Sequence, residues 1–245
     1  MIRNDLHVHS VQSMCGMHTV LEIVEIAARK DMRLVNISDH GSASGKDMRF
    51  GVIANKLRWP EKVESSTGKI IIVWAGIEAN ILDLDGNSDF PKSQISRFDL
   101  VSAGFHHDNL GASDNTKALE NYLARFPLDI LTHPCKASHP LLVEEIVELS
   151  LAYGFALEVN NTNLRVGKTD HKQLEQMIAV ASERGATLVE NSDGHTFIEI
   201  GENEQVEAFL QERHIKGDAL FINRDDLRLE TFLAQRRMKR SSLSS

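Results

Sequence analysis

Short apolar or β-branched runs recur along the chain at Ile2–Val8, Leu34–Ile37, Ile70–Ile77, Leu100–Phe105, Leu128–Leu131, Gly154–Val159 and Ala186–Val189. A weaker eighth lies at Ala219–Ile222. Continuous runs of this length, bounded by polar residues, are the pattern of strands buried on both faces. Between them the polarity changes to helical spacing. Thr19–Lys30 sets Val20, Ile23, Val24 and Ala27 on one face. Helical stretches follow at Ser44–Arg58, Thr116–Arg125, Pro140–Tyr153, Asp170–Arg184, Asn203–Arg213 and Asp225–Arg237. Strict alternation of strand and helix calls for a parallel sheet with right-handed crossovers. Seven or eight such units in 245 residues predict an α/β fold, a closed or nearly closed (β/α) barrel. An open doubly wound sheet is the competing architecture. No repeat, low-complexity block or Pro/Gly linker divides the chain, so a single domain is expected over 1–235. Residues 236–245, Arg-Arg-Met-Lys-Arg and then mostly serines, read as a frayed, solvated tail.

Composition narrows the setting. The chain is 42% hydrophobic and 25% charged, which is ordinary for a globular protein. A formal net charge of -8 repels phosphate backbones, so no stable nucleic-acid partner is expected. Bound divalent cations would reverse the sign locally and leave a phosphorylated small molecule possible as substrate. Two cysteines, Cys15 and Cys135, make no disulfide scaffold and fit a reducing compartment. The longest apolar run, Ile70–Ile77, is far short of a bilayer span, and the start of the chain, with Arg3 and Asp5, is unlike a signal peptide. A cytoplasmic location with no membrane partner is the expectation.

The candidate chemistry sits where the strands end. After the first come His7 and His9, two positions apart and so on one side of a strand. The second ends Ser38-Asp39-His40-Gly41, the third Gly76-Ile77-Glu78, the fourth Gly104-Phe105-His106-His107. The fifth ends Thr132-His133-Pro134, the sixth Glu158-Val159-Asn160-Asn161, the seventh Asn191-Ser192-Asp193-Gly194-His195-Thr196. Seven of the 11 histidines (His7, His9, His40, His106, His107, His133 and His195) therefore lie at C-terminal strand ends. In parallel α/β folds those ends share one face, where active sites form. His171 and His214 fall elsewhere and read as surface residues. Histidines with carboxylates and little sulfur suit Zn, Mn or Fe better than Mg or Ca. The ligands exceed what one ion takes, so a cluster is implied, with Glu78 as the natural bridge. Adjacent divalent ions serve in-line displacement at phosphorus, which is phosphoester hydrolysis. An amidohydrolase is the rival chemistry.

The ordered set DLHVHS, SDHG, GIEAN, GFHH, THP and NSDGHT over residues 5–196 resembles the PHP (polymerase and histidinol phosphatase) family, and within it the small stand-alone phosphoesterases. The resemblance implies a distorted (β/α)7 TIM-like barrel, the PHP fold, carrying three divalent ions. It implies His7, His9, Glu78 and Asp193 on the first ion, Glu78, His106 and His133 on the second, and His40 and His195 on the third. Asp5 and Asp39 match motif residues that steady neighbouring histidines. Relatives carry a histidine for the third ion where this chain has Cys15. Either Cys15, whose thiolate is a legitimate zinc ligand, or His18 would complete that position. The implied activity is metal-dependent phosphomonoester hydrolysis of a small metabolite or nucleotide, by a hydroxide bridging the ions. Histidinol phosphate and nucleotide phosphodiesters are allowed substrates, and a non-catalytic metal-binding PHP domain is the alternative of another class. A homo-oligomer, a trimer, is implied by the resemblance only. Glu78, Asp193 and His107 are the expected catalytic groups, His107 as proton donor to the leaving group. Lys136, Arg165 and Lys168, on loops at the active face, are the expected phosphate-binding side chains.

Overall fold

A computed structural model of the chain describes residues 1–43, 50–106, 110, 114–217 and 219–243. Its strands are β1 (Asn4–Val8), β2 (Leu34–His40), β3 (Lys62–Glu64), β4 (Ile70–Asn80), β5 (Leu100–Gly104), β6 (Ile130–Leu131), β7 (Ala156–Asn160) and β8 (Leu188–Asn191). The helices are α1 (Val20–Arg29), α2 (Phe50–Ala54), α3 (Lys92–Ile95), α4 (Thr116–Leu123), α5 (Val143–Tyr153), α6 (Asn161–Arg165), α7 (His171–Arg184), α8 (Glu204–Glu212) and α9 (Asp226–Leu243). Seven parallel strands follow one another in the order β1-β2-β4-β5-β6-β7-β8, and β3 alone runs antiparallel, on β4. The sheet comes round on itself. Val8 bridges Gly194 just past β8, His9 N–H donates to the Gly194 carbonyl at 2.9 Å, and Ile2 N–H donates to Gly201 at 2.7 Å. This is a nearly closed TIM-like (β/α) barrel rather than an open doubly wound sheet.

The helices cover the outside with the faces their spacing predicts. On α1, Val20, Ile23, Val24 and Ala27 are buried, and Thr19 and Glu22 form a capping box at its start. Inside the N-terminal mouth, Leu6, Leu34, Trp74, Leu100, Ile130, Ala156 and Val189 of the seven parallel strands pack on Ile222, Leu229, Phe232 and Leu233. Helix α9 thus plugs the barrel at the end opposite the histidines, which leaves the C-terminal mouth for chemistry.

Three expectations need correction. The weak run Ala219–Ile222 adds no strand, only a bridge from Phe221 to Leu188 followed by a 3-10 turn at Ile222–Arg224. The helix expected at Ser44–Arg58 is, in its described part, α2 followed by a 3-10 turn at Asn55–Arg58, ending ahead of Pro60. Residues 44–49 lie outside the described residues. The tail is not frayed from Arg236. Helix α9 continues to Leu243, and Arg236 and Arg240 are 5% and 4% exposed. Arg236 Nε donates to Asp129 Oδ1 at 3.0 Å, and Arg240 binds the other carboxylate oxygen. Asp129 is fully buried at the entry to β6, and two guanidiniums neutralise a charge that would otherwise be costly there. No helix among the described residues is long and apolar enough to cross a membrane.

Candidate metal centre

The strand ends converge on Glu78. Its side chain is buried, and its two oxygens face different histidines. Oε1 lies 3.0 Å from His133 Nε2 and 3.2 Å from His106 Nε2. Oε2 lies 2.9 Å from His40 Nδ1 and 3.2 Å from His7 Nε2. His7 and His9 bring their Nε2 atoms within 3.0 Å of each other, and His9 Nε2 is 3.1 Å from Asp193 Oδ1. Among the described residues, three groups have potential ligand atoms all within 4.8 Å of one another: His7, His9 and Glu78; His40, Glu78 and His106; and His9, Cys15, His40 and His195. The two loop candidates, Cys15 and His18, are placed differently. Cys15 joins the third group, whereas the His18 ring packs edge-on to Phe197 at 6.1 Å, away from it.

The far nitrogens of three of these rings are already engaged. His7 Nδ1 is 2.8 Å from Glu158 Oε1, His9 Nδ1 is 3.0 Å from Ser13 Oγ, and His195 Nδ1 donates to the Asp193 carbonyl at 2.8 Å. A carbonyl only accepts, so His195 carries a proton on Nδ1, and Nε2 is the nitrogen that offers a lone pair once its own proton is displaced. Pairs of imidazole nitrogens approach to 3.0 and 3.1 Å, each with room for at most one proton between them. Converging lone pairs backed by buried carboxylates fit divalent cations, and an imidazole–carboxylate–thiol set fits zinc, with manganese or iron next.

The electrostatics point the same way. Although burial raises both carboxyls, His7 and its neighbouring imidazoles hold Glu78 and Asp193 well below the carboxylate range. Burial opposes charge on His40 and His195 as well, yet Glu78 and Cys15 push His40 up to about 10, and Cys15 and Asp193 push His195 up to about 9. His9 and His106, by contrast, fall to about 3, through burial first and then their cationic neighbours. Burial raises the Cys15 thiol, but hydrogen bonds with His195 and His40 bring it down to about 6. The centre is thus built around fixed negative charge that needs positive charge beside it. Metal binding to such a site displaces protons.

The groups that aim these ligands were partly missed. Glu158 accepts from His7 Nδ1, from the His133 backbone N–H at 2.8 Å, from Asn191 Nδ2 at 2.7 Å and from Asn160 Nδ2 at 2.9 Å. Its signal was a lone acid inside the apolar strand Ala-Leu-Glu-Val-Asn. Glu158→Gln is expected to weaken metal affinity or turnover about 10- to 100-fold, because His7 loses its orienting carboxylate. Titrating metal into the stripped variant, with turnover followed alongside, checks this. Asp5 and Asp39 grip backbone rather than rings. Asp5 accepts from Ser192 and from the N–H groups of His7 and Gly201. Asp39 accepts from Ser10 N–H at 2.8 Å and pairs at 3.0 Å with Lys56, a buried lysine that sequence reading did not single out.

Two candidate ligands follow left-handed backbone: His133 has φ 36° and Asp193 φ 53°. Such conformations cost about 1–3 kcal/mol each and are held where side chains must be aimed. Gly104 makes room for one of them, since a Cβ there would meet Thr132 Oγ1 at 2.3 Å and the His133 ring at 2.7 Å.

The expected phosphate-binding groups divide. Arg165 is exposed and pairs with Glu199, whose other oxygen accepts the N–H of His195 at 2.8 Å and of Thr196 at 3.0 Å. Glu199 thus links it to the backbone of His195. Lys136 Nζ donates to the Phe105 carbonyl at 3.1 Å, and Lys168 is exposed on the loop after α6. His107 lies outside the described residues.

No family model matches the chain. Among curated relatives, a probable phosphatase of Shewanella sp. (strain MR-4) is 32% identical over 236 residues, covering 95% of this chain and 91% of its own length. A probable phosphatase of Caldanaerobacter subterraneus subsp. tengcongensis is 27% identical over 240 residues, covering 96% and 92%. Among solved structures, histidinol phosphate phosphatase of Lactococcus lactis subsp. lactis Il1403, crystallised with zinc, L-histidinol and phosphate, superimposes with a TM-score of 0.56 at 15% identity over 87% of this chain and 94% of that one. The putative histidinol phosphatase of Listeria monocytogenes gives 0.58 at 15% identity, over 83% and 99%. At that identity the likeness is one of fold. The Shewanella identity, spread over nearly the whole length of both chains, carries more: the chain belongs to the family of these probable phosphatases.

Proposed function

We propose that the protein is a metal-dependent phosphomonoesterase of the PHP type, working with three divalent ions on a small phosphorylated metabolite or nucleotide. The observation that carries the reading is Glu78, with one oxygen among His106 and His133 and the other among His7 and His40. A carboxylate so placed suits the bridge between two ions. His7, His9, Glu78 and Asp193 would hold the first, Glu78, His106 and His133 the second, and Cys15, His40 and His195 the third, with His9 close by. His40 reaches both Glu78 and the third group, so it would stand between positions. Bound ions supply a water acidic enough to attack at neutral pH and positive charge to meet the phosphoryl oxygens.

The chain's own residues do the rest. Glu158, Ser13 and the Asp193 carbonyl fix the ring orientations of His7, His9 and His195. Arg165, paired with Glu199, would turn toward a phosphate dianion. Arg165→Ala is expected to raise KM for a phosphomonoester about tenfold or more with kcat little changed, because it removes a charge-assisted contact made equally in ground and transition states. An unaltered KM would remove Arg165 from substrate binding. The net charge of -8 favours small substrates over long nucleic acids.

The test is metal content per chain on protein purified without chelators, with turnover of p-nitrophenyl phosphate and a phosphomonoester panel that includes histidinol phosphate. About three ions with turnover supports the reading. About two with turnover reduces it to a binuclear hydrolase. Full metal without turnover on any phosphoester turns the choice to an amidohydrolase or a non-catalytic domain.

A further inference from the structure

The third group of ligands differs from the others in one atom: it contains sulfur. His9, Cys15, His40 and His195 present one nitrogen or sulfur each within 4.8 Å of all the rest. His9 packs at 4.4 Å between centroids on both His40 and His195, so the rings surround the thiol closely. His195 donates its Nδ1 proton to the Asp193 carbonyl, which leaves Nε2 to offer a lone pair once its own proton is displaced. With His9 committed to the first ion, His40, His195 and the Cys15 thiolate would make a three-ligand set that suits zinc and leaves its fourth position open. Cys15 is partly exposed on its loop, while the only other cysteine, Cys135, is buried with Sγ 3.7 Å from Met177 Sδ. A small oxidant can reach the first sulfur and not the second.

We infer that Cys15 makes the third metal position a reversible oxidant sensor, from which a hydroperoxide releases one zinc ion. The inference rests on the three-ion reading above. In the step, the Cys15 thiolate attacks one oxygen of hydrogen peroxide. An S–O bond forms as the O–O bond breaks, sulfur gives up two electrons, and the departing hydroxide takes a proton to become water. The resulting sulfenic acid no longer binds as a thiolate, and the two imidazoles of His40 and His195 alone hold the ion too weakly to keep it. A dithiol reductant reverses the change. One of its thiols attacks the sulfenic sulfur and expels water, and its second thiol then displaces the Cys15 thiol and closes the reductant's own disulfide. Buried Cys135 offers no resolving thiol, so recovery depends on the external reductant.

The experiment uses the zinc-loaded full chain. Zinc per chain is measured first, then the zinc that hydrogen peroxide liberates to a chromogenic chelator, while dimedone labelling with peptide mass spectrometry locates sulfenic acid. Dimedone is needed because Met14 and Met17, both exposed on the same loop, also take up oxygen. The expected result is about three ions at the start and about one released, dimedone on Cys15, and rebinding of zinc after dithiothreitol. Cys15→His is expected to release under about a tenth as much zinc as the wild type, and Cys135→Ser as much as the wild type. Full initial metal with no peroxide-driven release, or equal release from Cys15→His, would overturn the sensor and leave the three-ion reading standing. An initial content of about two ions, with none at Cys15, would sink the three-ion reading itself and the sensor with it.

Discussion

Glu78→Gln is expected to lose at least two of the bound ions and to lower kcat/KM about a thousandfold or more, some 4 kcal/mol of transition-state stabilisation. The glutamine keeps the shape and removes the charge. Glu78 is fully buried, and the imidazoles around it hold it ionised far below the usual carboxylate range. Its oxygens serve His133 and His106 on one side and His40 and His7 on the other. A neutral amide offers one acceptor oxygen and one donor NH2, so it cannot face lone pairs or cations on both sides at once. Removing one member of a buried charged network typically costs about 3–5 kcal/mol, the same size as the expected catalytic loss. Metal per chain and turnover of p-nitrophenyl phosphate, with a thermal melt to show that the variant is folded, make the check. Retention of full metal content, or a fall of less than about tenfold, would mean that Glu78 bridges nothing.

The centre was legible in the sequence because topology does most of the placing. In a parallel barrel every C-terminal strand end faces one mouth, so His7, His9, His40, Glu78, His106, His133, Asp193 and His195 could be read as neighbours although 188 positions separate the first from the last. Alternation of strand and helix likewise pointed to the barrel, with an open sheet as its rival, and the helical spacing from Thr19 put the start of α1 at its observed N-cap. Pairings between distant single residues were not legible. Glu158 looks like any acid until its strand is seen to bury it against His7. Lys56 belongs to a stretch that reads as an ordinary amphipathic helix, and only the fold brings it to Asp39. That Cys15 rather than His18 falls in the third group is a matter of loop path. A 3-10 turn at Val11–Ser13 doubles the chain back, and Gly16 then passes so near His9 and Ser10 that a Cβ would sit 2.5 Å from their carbonyl oxygens. Strand β3 has three residues, two of them exposed, and carries no periodicity to detect.

The basic end of the chain is where local composition misleads most, and it yields the second large effect. A chain ending at Gln235 is expected to unfold about 6–20 °C below the full-length protein, taking 3–5 kcal/mol for a broken buried pair and 2–4 °C per kcal/mol at this chain length. Arg236 and Arg240 are the only side chains bonded to the two Asp129 oxygens among the described hydrogen bonds, apart from the Val101 N–H donating at 2.9 Å. Arg236 also donates to the Tyr153 carbonyl at 2.7 Å, and Arg240 to the Asp99 carbonyl at 2.8 Å. Together they tie α9 to the starts of the strands, at the mouth opposite the metal centre. Without them Asp129 keeps its burial and loses both counter-charges, so it must either ionise unpaired or take up a proton. Asp129→Asn in the shortened chain is therefore expected to recover at least half of the loss, because the amide oxygen still accepts from Val101 and no charge is left to solvate. Thermal melts of the metal-stripped and metal-loaded forms separate this effect from stabilisation by bound ions. A shift of less than about 2 °C on truncation would return residues 236–245 to the status of a solvated tail.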